Sequence, residues 1–126
     1  MKIKTSELSG HALDKAVAEC LGATEGYKQG EVFLWDGEPT ITTWGHDIRF
    51  SPSTDWAQGG LIIEREFMEI RFEHECSWNS SPAQDMWVAV IPYKVKLAGQ
   101  TPLIAAMRCF VFSKLGDEVE IPDELL

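Results

Sequence analysis

The sequence predicts an α+β fold in which a small, mainly antiparallel sheet packs between helices. Three observations support this prediction. Thr101–Gly116 has the composition of an apolar helix with both ends marked. Phe67–Cys76 alternates apolar and charged residues, as a half-buried strand does. A third segment, from Ser6 or Glu7 to Leu21, repeats apolar residues at helical spacing. Because a sheet face and a helix stripe each need a cover, these elements should form packed layers.

The N-terminal segment predicts a short strand followed by an amphipathic helix. Lys2–Lys4 fits the strand, and the helix should end before Gly22. Its apolar residues form one stripe: Leu8, Ala12, Leu13, Ala16, Val17, Cys20 and Leu21. Asp14 falls on the opposite, polar side of the helix. The stripe therefore indicates a helix that lies on a core.

The next segments predict strands and a second helix. Val32–Trp35 fits a short strand that ends at the turn signal Asp36–Gly37. Ile41–Phe50 fits either a short strand or a structured loop. Ser51–Trp56 is typical of a helix start, and the helix should run to Glu66.

Two features of this second helix concern its start. Asp55 with Gln58 three residues later resembles a capping box, and a neighbouring serine or threonine is the alternative cap. Gly59–Gly60 weakens a helix. The glycines therefore indicate either a later start or a place where another backbone comes close.

The C-terminal half predicts two strands and the last helix. Phe67–Cys76 should bury its apolar face, which includes Phe72 and His74, and leave its charged face in water. Met86–Ile91 is almost entirely apolar, which indicates a central strand. Pro92–Gln100 is interpreted as the connection to the last helix.

The last helix carries its own end signals. Thr101 can cap the first free N–H groups, and Pro102 fits the first helical position. Gly116 suits the left-handed residue that follows a helix. From about Asp117 an acidic tail should be extended and partly solvated, although its apolar residues offer a way to dock.

The composition indicates one acidic domain. The chain has 126 residues, of which 44% are hydrophobic, and 20 acidic against 11 basic residues give a net charge of −9. This length fits a single domain over residues 1–126. The negative charge argues against direct binding to nucleic acid or to an anionic membrane. It leaves open a basic protein partner, or a protein that imitates the charge of DNA.

The sequence also indicates a compartment. It contains no apolar stretch long enough for a membrane span and no secretion signal at its start. Cys20, Cys76 and Cys109 are an odd number without the spacing of a disulfide framework. We therefore expect reduced thiols in a cytoplasm.

Several segments resemble the NinX family of small phage proteins. They are Gly10–Ala18, Ser53–Gly60 with Ile63–Glu66, and Thr101–Cys109 with Lys114–Glu120. The chain departs from the family pattern at His11 and Lys15. A looser version of these motifs is similar to phage domains described as α–β–α sandwiches. The resemblance implies a temperate-phage or prophage protein in the cytoplasm of a bacterial host, and it implies no activity.

The sequence offers no strong catalytic, metal or cofactor motif. His74 and Cys76 would share one face of a strand, but zinc would need further ligands from elsewhere, such as His46 or Cys109. An apolar setting raises the pKa of a thiol and keeps Cys109 inert. The glutamates of Phe67–Cys76 are spaced as a solvated face. We therefore expect no catalytic residue, no metal and no cofactor.

Tryptophans and one arginine are the candidates for binding. Trp44 and Trp78 should lie in loops, where an aromatic ring can anchor a protein partner; packing in the core is the alternative. Asp55 and Trp56 belong to the helix start that resembles the phage family. Arg108 stands inside an apolar helix and needs a partner, for which Asp55 is the candidate. This arginine is either part of a structural ion pair or the border of a ligand pocket.

These features favour a non-enzymatic phage accessory protein that binds a host or phage protein. One alternative is a DNA mimic, in which the acidic tail and the glutamate face of Phe67–Cys76 occupy a nucleic-acid enzyme. Another is a small enzyme with a pocket between the sheet and the last helix. A homodimer is compatible with each of these functions.

Overall fold

The computed structural model describes residues 1–43, 45–76 and 84–125. The helices within these residues are α1 (Gly10–Cys20), α2 (Trp56–Arg65) and α3 (Pro102–Leu115). The strands are β1 (Lys2–Lys4), β2 (Val32–Trp35), β3 (Glu38–Thr43), β4 (His46–Arg49), β5 (Glu69–Cys76), β6 (Gln84–Ile91), β7 (Val95–Gly99) and β8 (Glu118–Glu120). This content confirms the predicted α+β class.

The described strands form three small antiparallel sheets. β1 pairs with β8, β2–β3–β4 form a second sheet, and β5–β6–β7 form a third. β6 is the central strand of the third sheet, as its apolar sequence predicts. β7 lies in Pro92–Gln100, so the interpretation of this whole segment as a connection is wrong. The strand is short and ends on Ala98 and Gly99. These residues have low strand propensity and obscure the alternating pattern that would indicate a strand.

Helix α3 lies at the centre of the packing. It packs on β6 and β7, and it also contacts α1 and α2. Its buried residues include Leu103, Ala105, Ala106, Met107, Cys109, Phe110 and Val111. The helix is therefore covered on more than one side, as its apolar composition requires. The sheet of β2, β3 and β4 contacts α1 through β3.

The ends of α3 are as predicted. The Thr101 Oγ1 atom accepts a hydrogen bond from the Ile104 N–H at 3.1 Å. Pro102 is the first helical residue, and Gly116 follows the helix with φ of 89°. Only glycine adopts this left-handed conformation without steric cost, so both end signals have the expected physical roles.

Helix α1 begins later than predicted, at Gly10 instead of Ser6 or Glu7. Thr5–Glu7 forms a separate 3-10 turn. Its first residue is held by the far end of the chain: the Thr5 N–H donates to the Asp117 carbonyl at 2.8 Å, and the Thr5 hydroxyl donates to the Gly116 carbonyl at 2.6 Å. These long-range hydrogen bonds override the local helical pattern.

The acidic tail docks on the N-terminus. β8 pairs with β1, and the side chains of Val119 and Ile121 are buried. The Ile121 N–H donates to the Met1 carbonyl at 2.9 Å. The N-terminal ammonium lies 2.7 Å from Glu120 Oε1 and lowers the pKa of that carboxyl. Both expected behaviours of the tail occur: it is extended and partly solvated at Glu118 and Glu120, and it docks through Val119 and Ile121.

Gly59 allows α2 to approach its neighbours closely. A Cβ atom at Gly59 would lie 2.4 Å from the Pro52 carbonyl oxygen and 2.7 Å from Leu103 Cδ2. A Cβ atom at Gly60 would meet nothing within 4 Å. The prediction that the glycine pair admits another backbone is therefore confirmed, and Gly59 alone provides the space.

We expect Gly59→Ala to lower the free energy of unfolding by about 1–3 kcal/mol, because the new methyl group overlaps a backbone carbonyl. Gly60→Ala is the matched control, since it adds the same group to the same helix in open space. It should leave stability unchanged or raise it by up to about 1 kcal/mol. Urea denaturation measures both, and equal effects of the two substitutions would contradict the proposed close approach.

Candidate functional site

Asp55 caps helix α2. Its Oδ1 atom accepts a hydrogen bond from the Ala57 N–H at 2.9 Å. Gln58 does not complete the predicted capping box, because its side chain turns away to other backbone groups. Its Oε1 accepts from the Ser51 N–H, and its Nε2 donates to the Arg49 carbonyl at 3.1 Å. Gln58 thereby ties the end of β4 to α2.

The predicted ion pair between Arg108 and Asp55 is wrong. Arg108 Nε donates to the Leu8 carbonyl at 2.7 Å, and a terminal nitrogen donates to the Ala98 carbonyl at 3.0 Å. Burial lowers the pKa of the guanidinium, and the negative charge of Glu7 opposes this effect. Backbone carbonyls satisfy the arginine's donors, as a carboxylate would. Arg108 therefore joins α3 to the N-terminal segment and to β7.

Asp14 is a buried carboxylate that sequence reasoning misplaces on the polar side of α1. Its side chain is 4% exposed, and its Oδ1 accepts from the Ser53 N–H at 2.9 Å. Burial raises the pKa of Asp14; Ser53 and the charges of His11 and Arg49 oppose the rise. The Ser53 hydroxyl lies near this carboxylate but has no partner of hydrogen-bond geometry among the described residues.

The serine, histidine and aspartate of this cluster do not form a catalytic triad. In a triad the histidine lies between serine and aspartate and takes the serine proton. Here Asp14 contacts Ser53 directly, while the ring of His11 contacts Arg49. The arrangement joins α1 to the segment before α2, so its evident role is structural.

Other titratable groups are also dispersed. Within residues 1–43, 45–76 and 84–125, no three histidine, cysteine, aspartate or glutamate residues are grouped as a metal site would need. His74 pairs with Asp85 at 3.4 Å, and the side chain of Cys76 lies outside the described part. Burial raises the pKa of Cys109 to about 11. A thiol of this pKa is protonated at neutral pH and is a poor nucleophile.

Of the three tryptophans proposed for binding, the structure describes Trp56. Trp44 and Trp78 lie outside the described residues. Trp56 is largely exposed beside a hollow of about 250 Å³, where the first turns of α2 and α3 meet. Thr101 and Pro102 form the other wall of this hollow. Asp55, Trp56 and Arg108 therefore do not form one site.

An apolar cleft of about 360 Å³ opens between α2 and the sheet of β2, β3 and β4. Its sheet wall is a row of aliphatic side chains across the three strands. Val32 lies opposite Ile41, and Ile41 lies opposite Ile48. All three point to the same face, because directly paired residues of antiparallel strands share a face.

The helix wall of the cleft comes from α2. Ala57, Leu61 and Arg65 line it at a spacing of four residues, which aligns them along one face of a helix. The cleft is also lined by Leu21, Phe50, Asp55, Gln58 and Ile62. Among these lining residues, Phe50 and Ile62 are buried.

Apolar side chains remain in water at both walls of the cleft. Leu61 on α2 is 67% exposed, and Ile48 on β4 is 43% exposed. Covering exposed apolar surface of this kind with a partner is favourable, because the surface is removed from water. Sequence reasoning misses the cleft, because Ile41–Phe50 does not reveal its two strands and no local pattern shows that α2 faces them.

The segments that resemble phage proteins meet in the structure. Asp14 of the first segment binds Ser53 of the second, and Gly59 of the second packs against Leu103 of the third. The family model described as "Bacteriophage P22, NinX" matches residues 4–114. The chain belongs to this NinX family. No curated protein matches it. In the described part of this NinX protein, no helix has the length and apolar character needed to cross a membrane.

Because Arg108 and Asp55 of this NinX protein have separate partners, their substitutions should act independently. We expect Arg108→Ala to lower the free energy of unfolding by about 2–3 kcal/mol, since it leaves two carbonyls without donors. Asp55→Ala should cost about 1 kcal/mol through the lost cap. The double variant should equal their sum within about 0.5 kcal/mol. Urea denaturation measures all three variants. A deviation from the sum well above this value would support a direct ion pair between Arg108 and Asp55.

Asp14 should make stability depend on pH. The pKa of Asp14 in the folded protein is raised above 3.8, its ordinary value in an unfolded chain. At a pH between the unfolded and the folded pKa, the folded protein therefore binds a proton that the unfolded chain does not. Stability should therefore fall as the pH rises through this interval. Asp14→Asn keeps an acceptor for Ser53 without the charge, so it should lack this fall and be at least as stable as wild type at pH 7.

The matched control is Asp14→Ala, which removes the acceptor of the Ser53 N–H. It should lower the free energy of unfolding by about 1–3 kcal/mol. Urea denaturation at a series of pH values measures all three proteins. A wild-type protein that gains stability over Asp14→Asn as the pH rises would contradict the buried-carboxylate explanation.

Proposed function

We propose that this protein is a non-enzymatic phage accessory module that binds another protein through the cleft between α2 and the sheet of β2, β3 and β4. The observation that carries the proposal is the pair of exposed side chains, Leu61 and Ile48, on the two walls of one apolar cleft. Binding energy at protein interfaces concentrates where an anchor side chain fills such a pocket.

The cleft suits an apolar anchor from a partner surface. Its volume of about 360 Å³ lies at the lower end of the range for ligand pockets, about 300–1,000 Å³. Asp55 and Arg65 mark opposite ends of α2 beside the cleft and provide charges that can orient the anchor. The net charge of −9 favours a basic partner, because opposite charge accelerates encounter.

The cleft is poorly equipped for catalysis. Its polar residues are Asp55, Gln58 and Arg65. Asp55 caps α2 and Gln58 bonds the backbone of β4, so both are engaged in holding the fold. Arg65 lies 3.4 Å from Glu66. These contacts support binding over chemistry, because a general acid or base must be free to reach a substrate.

The DNA-mimic alternative has weaker support. A mimic needs a continuous row of negative charge like that of the duplex. Along β5, Arg71 pairs with Glu69 and Glu73, and Lys96 also pairs with Glu73. In the tail, Glu120 pairs with the N-terminal ammonium. Cations therefore interrupt both acidic surfaces.

We expect Leu61→Asp and Ile48→Asp each to weaken partner binding by at least tenfold, because each puts a charge into an apolar cleft. Leu115→Asp is the matched control: Leu115 is 43% exposed, like Ile48, but lies at the end of α3 away from the cleft. The three variants and the wild type are compared as baits in host and phage-infected lysates with quantitative mass spectrometry.

A protein that is lost with both cleft variants and kept with the control is then purified, and its affinity is measured by calorimetry. The same ranking in the purified pair supports the proposal. A partner that binds all four baits equally excludes the cleft as its site. A small molecule that co-purifies only with proteins carrying an intact cleft would replace the protein anchor with a small apolar ligand.

A further inference from the structure

β5 leaves a long edge open for pairing. The strand spans eight residues and lies at the outside of the sheet β5–β6–β7. Among the described residues, no strand pairs with its outer side. Backbone N–H and C=O groups along such an edge can bind another strand, and proteins normally protect them. The side chains of β5 therefore determine which strand can pair with its outer edge.

One face of β5 exposes an aromatic cluster at Phe72 and His74, whereas Ile70 on the same face and Met68 just before the strand pack against the core as predicted. The ring of Phe72 lies 5.2 Å from the rings of both Trp87 and His74, and Phe72 is 44% exposed. In register, Phe72 pairs with Trp87, and Trp87 with Gly99, which lies against the first turn of α3. Because α3 packs mainly on β6 and β7, it leaves Phe72 on the outer strand partly uncovered.

The other face of β5 carries charges of alternating sign. Arg71 lies between Glu69 and Glu73. Its Nη1 atom is 2.5 Å from Glu69 Oε1, and its Nε atom is 2.8 Å from Glu73 Oε2. Glu73 also lies 3.0 Å from Lys96 of β7. Val88, the residue paired with Arg71, is fully buried under this layer. An edge of uniform charge repels a copy of itself, but an alternating edge can match its own copy.

We propose that the outer edge of β5 pairs antiparallel with the same edge of a second copy of this chain, with the two-fold axis at Phe72. Each Arg71 then lies opposite Glu73 of the other copy, and the two Phe72 side chains meet at the axis. Aromatic and oppositely charged cross-strand pairs are both favourable. The two sheets join into one continuous sheet across the interface.

The charges exclude two neighbouring registers, and the aromatic pair decides between the two that remain. An axis at Arg71 or at Glu73 would place like charges directly opposite each other. An axis at Ile70 would pair Arg71 with Glu69, but it would set Phe72 opposite Met68 and lose the aromatic pair. The strand register also shifts between Glu73 and Cys76, which confines regular pairing to the first part of β5. The chosen register places Glu69 opposite Glu75, where this register shift in β5 interrupts regular pairing.

A two-fold interface uses the same residues on both copies, so a charge reversal acts twice. Arg71→Glu sets two carboxylates opposite each other on both sides of the axis. Glu73→Arg does the same with two guanidinium groups. We expect each variant alone to be monomeric under conditions in which the wild type is dimeric, as measured by sedimentation velocity.

Mixing the two variants provides the decisive measurement. In a mixed pair, both cross-strand contacts again join a carboxylate with a guanidinium. An equimolar mixture of Arg71→Glu and Glu73→Arg should therefore be dimeric although each component is monomeric. Recovery of the dimer also shows that both variants are folded. Glu118→Arg, which reverses an exposed charge on β8, should remain dimeric.

Each other outcome overturns part or all of the proposal. A wild-type protein that stays monomeric across the accessible concentration range excludes the dimer. If Arg71→Glu dimerises alone, the interface lies elsewhere. A mixture that stays monomeric refutes the Arg71–Glu73 pairing. If Glu69→Arg abolishes the dimer and Glu73→Arg does not, the axis lies at Ile70. The cleft of α2 takes no part in this test, so its result is independent of the proposed function.

Discussion

The burial of α3 is the constraint on which the rest of the structure depends. This helix is apolar on nearly every side, so it is stable only when several elements surround it. β6 and β7 cover it on one side, and α1 and α2 also pack against it. Arg108 is the charged residue within this environment, and its bonds to the Leu8 and Ala98 carbonyls extend the same core to the N-terminal segment and to β7. The chain ends then close over α3 through the pairing of β1 with β8.

The same constraint leaves the cleft open. α2 is drawn to α3 by the close contact at Gly59, and it is tied to the end of β4 by Gln58. These two attachments hold α2 near the sheet of β2, β3 and β4 without laying the helix on it. The aliphatic row that ends at Ile48 therefore keeps an exposed side facing Leu61. Residues that resemble the phage family build the junction, whereas the residues that line most of the cleft lie outside those motifs. The shared motifs thus explain the scaffold, and binding is proposed for a surface that they position.

Exposed apolar groups occur where the layers end. Phe72 is exposed because α3 packs mainly on β6 and β7 and contacts β5 less, and Leu61 is exposed because the cleft separates α2 from the facing sheet. The two surfaces differ in the partner that they fit. The cleft is concave and suits a single inserted anchor. The β5 edge is extended, with alternating charge, and suits another strand of the same sequence. One protein can therefore dimerise through β5 and still present its cleft.

The elements with local signals could be predicted from the amino-acid sequence alone. The Thr101, Pro102 and Gly116 end signals defined α3, the Asp36–Gly37 turn separated β2 from β3, and the apolar run of β6 indicated a central strand. These features follow from backbone conformation and side-chain periodicity, which neighbouring residues set. Local signals could not predict the partners of Arg108 and Asp14, the start of α1, or the cleft, because long-range packing sets all of them. Each depends on groups far apart in the chain, such as the Leu8 carbonyl, the Ser53 N–H and the Asp117 carbonyl. Every residue has the same backbone carbonyl and nearly every residue the same N–H. The sequence therefore does not show which of these groups will lie beside a buried charge.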